Sequence, residues 1–233
     1  MISNASARTT PAATHEPDDR SAALTRTLLA YGLLAGPFYL AVGLIQALVR
    51  EGFDFARHPL SVLANGPGGW VQTANFLLSG LMVIAAAVGV ARSLRPRGRV
   101  TSGLLALYGV ALITAAAFPA DAVDGFPPGT PEGFPTTVST TGVLHFVAGG
   151  VAFLAIAASC LAAAMPMFRR NERSMALLSL LAGVAIVGGF FGPFVIPGFS
   201  LGMAGIWFAV VVGWVWLAAL CVHLRGASRP PTG

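Results

Sequence analysis

Residues 52–91 read GFDFARHPLSVLANGPGGWVQTANFLLSGLMVIAAAVGVA, and the stretch changes character at Trp70. From Val71 to Ala91 no side chain is ionisable, and a helix of that length rises about 30 Å, the thickness of the hydrocarbon core of a bilayer. This half predicts a membrane-spanning helix. The half before it crowds Asp54, Arg57, His58 and Ser61 into a segment that Pro59, Pro67 and the Gly68-Gly69 pair keep from continuing as helix. Trp70 marks the junction, at the headgroup depth where indole rings settle with one end wet. Gln72, Asn75 and Ser79 follow at spacings of three and four and share one helical face. That face is polar enough to turn away from lipid.

Five more apolar runs cover about 24–49, 100–118, 143–167, 174–194 and 201–224. The expected fold class is all-α, an integral membrane bundle of six transmembrane helices over residues 24–224. A polar, proline-bearing tail, 1–23, is expected to be disordered, and a short tail, 225–233, closes the chain. The first apolar run is too long for a cleaved signal peptide and reads as an anchor that stays. Composition agrees: with 55% hydrophobic and 10% charged residues and a mean hydropathy of +0.76, there is too little polar surface to cover a water-soluble globule. No soluble domain or internal repeat is legible. Small residues in Gly32-Leu-Leu-Ala-Gly36 and Gly188-Gly189-Phe-Phe-Gly192 would let another backbone approach closely, and Pro37, Pro193 and Pro197 predict bends or breaks. Such pairs serve internal packing, a homo-oligomer or a membrane partner equally well.

The net charge of +5 does not point to nucleic acid, because the basic residues sit in short runs beside apolar spans without interleaved aromatics. The bilayer is the partner they imply. All fourteen basic residues are arginine, which reads as a GC-rich coding bias. Twelve of them fall in the two tails, near the start of the first span and in the connections around 92–99 and 169–173, whereas only Arg50 and Arg57 lie in the other connections. The positive-inside rule then places both termini in the cytoplasm, in the cytoplasmic membrane of a prokaryote. Glu51, Asp54, Asp121, Asp124, Glu132, His58 and His145 are expected outside. The inner face reads as basic and featureless, with Cys221 and His223 lacking an acid partner there.

The candidate ligand-binding set is Asp54, Arg57, His58, Ser61, Gln72, Asn75, Asp121, Asp124 and His145. Within it His58, Asp121, Asp124 and His145 could hold a divalent metal with an open position for water. No fixed ligand spacing supports that reading; the plainer one has the two aspartates capping turns and His145 bonding a loop carbonyl. Ser61 with His58 or His145 invites a hydrolase reading, but no GxSxG elbow is present, and Ser61 fits equally as the cap of a short helix. Arg57 would pair with Asp54 or Asp121, or receive an anionic group through its planar fork. Gln72, Asn75 and Ser79 also suit interhelical hydrogen bonding. Cys160 and Cys221 lie inside apolar spans and read as packing residues.

The runs Arg57-His58-Pro59-Leu60-Ser61, Gly69-Trp70-Val71-Gln72-Thr73-Ala74-Asn75-Phe76, Phe118-Pro119-Ala120-Asp121, Gly125-Phe126-Pro127 and Gly142-Val143-Leu144-His145 resemble the membrane proteins grouped as domain of unknown function 998. The resemblance implies the six-span fold and marks the same polar residues; it implies no reaction, cofactor or substrate. The function expected is therefore that of a multi-pass membrane protein with an outward-facing polar vestibule for a small ligand, lipid headgroup or partner. The alternative is an outward-facing, metal-dependent membrane hydrolase. A secondary transporter ranks last, because the span centres carry no charge.

Overall fold

The computed structural model describes residues 16–133, 135–192 and 202–227. The expectations for Pro193, Pro197, the start of the last span at Leu201 and most of both tails lie outside the described residues. Six helices make up most of these residues: α1 (Glu16–Val49), α2 (Gly69–Ser93), α3 (Arg99–Ala117), α4 (Thr140–Arg169), α5 (Arg173–Ile186) and α6 (Gly202–Ala227). A 3₁₀ turn, Leu60–Ala64, lies between α1 and α2, and α5 runs on into a π turn, Val187–Phe191. All six helical segments are long and apolar enough to cross a membrane.

The first helix starts at Glu16, two turns ahead of the expected Leu24, so part of the supposed tail is helical. Pro17 stands in its first turn, where a proline costs no hydrogen bond. Arg92 of α2 ties these turns down, donating from Nε to Thr25 Oγ1 at 2.8 Å and from a terminal nitrogen to Ser21 Oγ at 2.7 Å.

Each helix packs against its sequence neighbours, and α6 closes against both α1 and α5. Lipid is as apolar as leucine, so such seams depend on small residues and interhelical hydrogen bonds. At the α2–α3 seam a Cβ on Gly80 would stand 2.7 Å from the Gly109 carbonyl, and the reverse holds for Gly109. The small pair of α1 is spent internally: a Cβ on Gly36 would meet Trp214 Cβ at 2.8 Å, and one on Gly32 would press on Cys221. Hydroxyls add to the seams, Ser159 donating to Thr101 O across α3–α4 at 3.1 Å and Trp216 Nε1 to Ser179 Oγ across α5–α6 at 3.0 Å. Cys160 and Cys221 are buried free thiols, as packing residues would be. Leu48, Val110, Leu181 and Val215 point outward, to where lipid would lie.

The connections 50–68 and 118–139 close one end of the bundle, here the capped end. The opposite, arginine end is not featureless. Glu172, in the turn between α4 and α5, approaches Arg170 at 3.1 Å and His223 of α6 at 3.0 Å. His223 thus has an acid partner, contrary to the expectation. In the sequence Glu172 is submerged among arginines, and only the return of α6 against α5 brings the two together.

Candidate functional site

The cap begins where α1 ends. Carbonyls of the short turn after Leu60 have no helical partner, and a buried carbonyl must find a donor. Gln46 donates to Leu63 O and Gly68 O at 3.3 and 3.0 Å, and Arg50 to Leu63 O and Asn65 O at 3.2 and 2.7 Å. The Arg50 guanidinium also lies 5.1 Å from the ring centre of Phe126, and partial burial there lowers its pKa from the ordinary arginine value. The sequence reading singled out neither as a site residue, since nothing local marks a side chain that serves a loop 13 to 22 residues away.

Asp124 is the hub of the cap. Its backbone is left-handed, φ 53°, a conformation that aspartate tolerates better than most residues. Its carboxylate accepts from Arg57 Nε at 2.9 Å and from an Arg57 terminal nitrogen at 2.6 Å, and takes the Gly133 N–H at 2.9 Å. Arg57 reaches Glu132 as well. Arg57 therefore pairs with Asp124 and Glu132, not with Asp54 or Asp121. The hydrogen bonds from Arg57 and then Gly133 hold the Asp124 carboxyl well below the usual carboxylate range. Those to Asp124 and Glu132 raise Arg57 above its own.

His58 is 1% exposed and uses both ring nitrogens. The Asp54 N–H can only donate, so Nδ1 at 2.9 Å is the acceptor; Nε2 must then carry the proton, which it donates to Asp124 O at 3.0 Å. Asp54 itself accepts the Ala56 N–H at 2.7 Å and shapes a turn. Ser61 lies inside the 3₁₀ turn, whose cap position is Pro59, so it does not cap that helix.

A second polar knot sits where α4 starts. Ser139 caps the helix, accepting the Gly142 N–H at 3.0 Å, and Asp121 in turn accepts the Ser139 N–H and hydroxyl. A side chain at Gly142 would strike the Asp121 carboxylate. One turn on, His145 Nδ1 donates to Phe118 O at 2.8 Å, leaving Nε2 as the basic nitrogen. The four candidate metal residues thus divide between two knots, and among the described residues no three His, Cys, Asp or Glu side chains are placed to hold a metal ion. His58 has no lone pair to spare.

Gln72, Asn75 and Ser79 are fully buried, on one face as expected. Asn75 donates to Tyr39 O of α1 at 3.0 Å and to Gln72 Oε1 at 3.2 Å, and Ser79 donates to Asn75 Oδ1 at 3.4 Å. They hold α1 against α2 and do not line the cavity beside them.

That cavity, about 240 Å³, lies beneath the cap and is almost wholly apolar. Tyr39, Tyr108 and Trp214 form its floor, with ring centres 5.2 and 5.5 Å apart. Gly149 and Phe153 of α4, Phe190 of the π turn and Val210 of α6 form its walls, and Phe153 and Phe190 stack at 3.9 Å. Phe146, 64% exposed, borders it as well, so the cavity is a cleft reaching from the core to the bundle surface between α4 and α6. Ser61 and His145 supply polar atoms on its lining, with Trp207 next to them, whose indole N–H is donated to Phe55 O at 3.1 Å. The π turn widens α5 at Gly188-Gly189, the kind of bulge often found at functional sites. The sequence reading expected a polar vestibule and had no means to see this cleft, because apolar residues around a void look the same as apolar residues around a core. On α4 a Cβ on Gly149 or Gly150 would meet nothing within 4 Å, a space that shows only in the folded bundle.

A sequence profile described as Protein of unknown function (DUF998) matches residues 33–223. No curated protein and no solved structure matches the chain.

Proposed function

The chain belongs to the DUF998 family, and we propose that this multi-pass membrane protein binds a small apolar ligand or a lipid acyl chain in the cleft between α4 and α6. The carrying observation is the cleft itself: an apolar volume of about 240 Å³ that reaches the bundle surface at Phe146 and has the polar atoms of Ser61 and His145 on its lining. Its size falls below the roughly 300–1,000 Å³ of drug-sized sites, which suits one chain better than a ring system. A polar headgroup would rest against Ser61 and His145, and the latched cap would hold the roof in place. The arginine distribution supports an orientation with the capped end outside and both termini in the cytoplasm of a prokaryote.

A second reading rests on one observation. Ser61 and His145 line the same cleft, and the Phe118 carbonyl holds the His145 proton on Nδ1, so Nε2 is the available base. A serine hydroxyl brought within hydrogen-bond reach of such a base is activated for acyl transfer. One experiment separates the readings. Purified protein is incubated with a fluorescent long-chain acyl ester, as wild type, Gly149→Leu and Ser61→Ala. Gly149 lines the cleft and a Cβ there meets no atom within 4 Å, so a leucine at this position takes its volume from the cleft. Ester bound intact by wild type and Ser61→Ala but lost by Gly149→Leu is the expected result. Cleavage that disappears in Ser61→Ala would replace binding with hydrolysis, and undiminished binding to a folded Gly149→Leu would remove the cleft from either role.

A further inference from the structure

The arginine end holds a second cavity, lined by Leu94, Arg95, Arg97, Pro166, Arg169 and Arg170, with a volume of about 400 Å³. Two connections build it. Leu94 and the arginines after it follow the end of α2, while Pro166 and the arginine pair form the last turn of α4. Leu94 is buried at 3% exposure and Pro166 is buried beside it, giving an apolar floor below four guanidinium groups.

The charges in this cleft are poorly balanced. Arg170 is engaged by Glu172 at 3.1 Å and approaches Ser93 O at 3.5 Å. The side chains of Arg95, Arg97 and Arg169 have no hydrogen-bond or ion-pair partner among the described residues. Glu172 is also shared with His223. Like charges gathered around one concave space repel each other, and an anion placed among them relieves that repulsion while gaining charge-assisted hydrogen bonds. The arginines stand just beyond the apolar ends of α2 and α4, the level at which lipid headgroups lie.

We propose that this cleft binds a phosphate group through Arg95, Arg97, Arg169 and Arg170, with the headgroup of an anionic phospholipid and free phosphate as its two sources. Guanidinium forks match phosphate geometry, and basic pockets between transmembrane helices are a recognised seat for anionic headgroups. The site is independent of the apolar cleft, which lies at the other end of the bundle.

The test uses the full-length protein in neutral detergent. Phosphatidylglycerol binding is followed by native mass spectrometry, with inorganic phosphate added as competitor, for wild type, the cleft variant Arg95→Gln/Arg97→Gln and the control Arg99→Gln/Arg173→Gln. The control pair lies at the same end but does not line the cavity, so it removes equal charge. Affinity should fall roughly fivefold per arginine in the cleft variant, while the control binds as wild type does. Loss of lipid binding that millimolar-scale phosphate does not mimic assigns the site to a lipid headgroup. Displacement by phosphate, itself weakened in the cleft variant, assigns it to free phosphate. Equal losses in both variants, or none in either, would mean diffuse surface charge and overturn the proposal.

Discussion

His58 and Asp124 show how much of this protein rests on single atoms. One backbone N–H fixes the tautomer of His58, and that tautomer supplies the proton that the Asp124 carbonyl receives. Asp124 also carries the pH dependence of the cap. Its carboxyl is depressed in the folded protein, so the stabilisation it brings is complete above the ordinary carboxylate value of about 3.9 and is lost as pH falls from there towards its lower folded value. Protease cleavage within the cap connections, followed in detergent, should therefore hold steady from pH 7 to about pH 5 and accelerate only below about pH 4. In Asp124→Asn it should be fast throughout. A wild-type cap that loosened between pH 7 and pH 5 would point to a histidine in place of Asp124.

The helices meet through their glycines. Gly80 and Gly109 let α2 and α3 approach until backbone nearly touches backbone, whereas Gly103 on α3 faces open space. Gly80→Ala should cost about 1–3 kcal/mol through overpacking, seen as a lower unfolding midpoint in one detergent. Gly103→Ala, which gains only the helix propensity of alanine, should be neutral or stabilising by up to about 1 kcal/mol. Similar midpoints for the two would mean that the seam yields without strain. The same reasoning settles the small pair in α1, which the sequence left open between internal packing and association: Trp214 and Cys221 of α6 occupy it. The α5 pair divides, since Gly189 lies against the Gly205 carbonyl while Gly188 is open.

For the molecule as a whole, the proposed orientation has a direct check. A reporter active only outside the membrane should work when fused within residues 50–68 or 120–138 and stay silent within 94–98 or 170–173; the reverse pattern would invert the assignment and put the apolar cleft at the cytoplasmic side. Six spans were legible in the sequence because crossing a bilayer is a local requirement: about 20 apolar residues, with every backbone group satisfied inside the segment. Polar residues near the capped end were legible for the same reason, as exceptions in an apolar chain. Their partners were not. Arg57 and Asp124 are 67 residues apart and His145 and Phe118 27 apart, and such pairs depend on how each helix is rotated and how far it is shifted along its neighbours. An apolar helix surface is equally at home against lipid or another helix, so its residues leave rotation and register undetermined. The local pattern of the chain was enough for a bilayer setting, for six candidate spans and for the polar connections between them. Which charges latch, which polar residues bond between helices and where the two cavities open emerged only with the helices packed, because those features depend on contacts between helices that no single stretch of chain encodes.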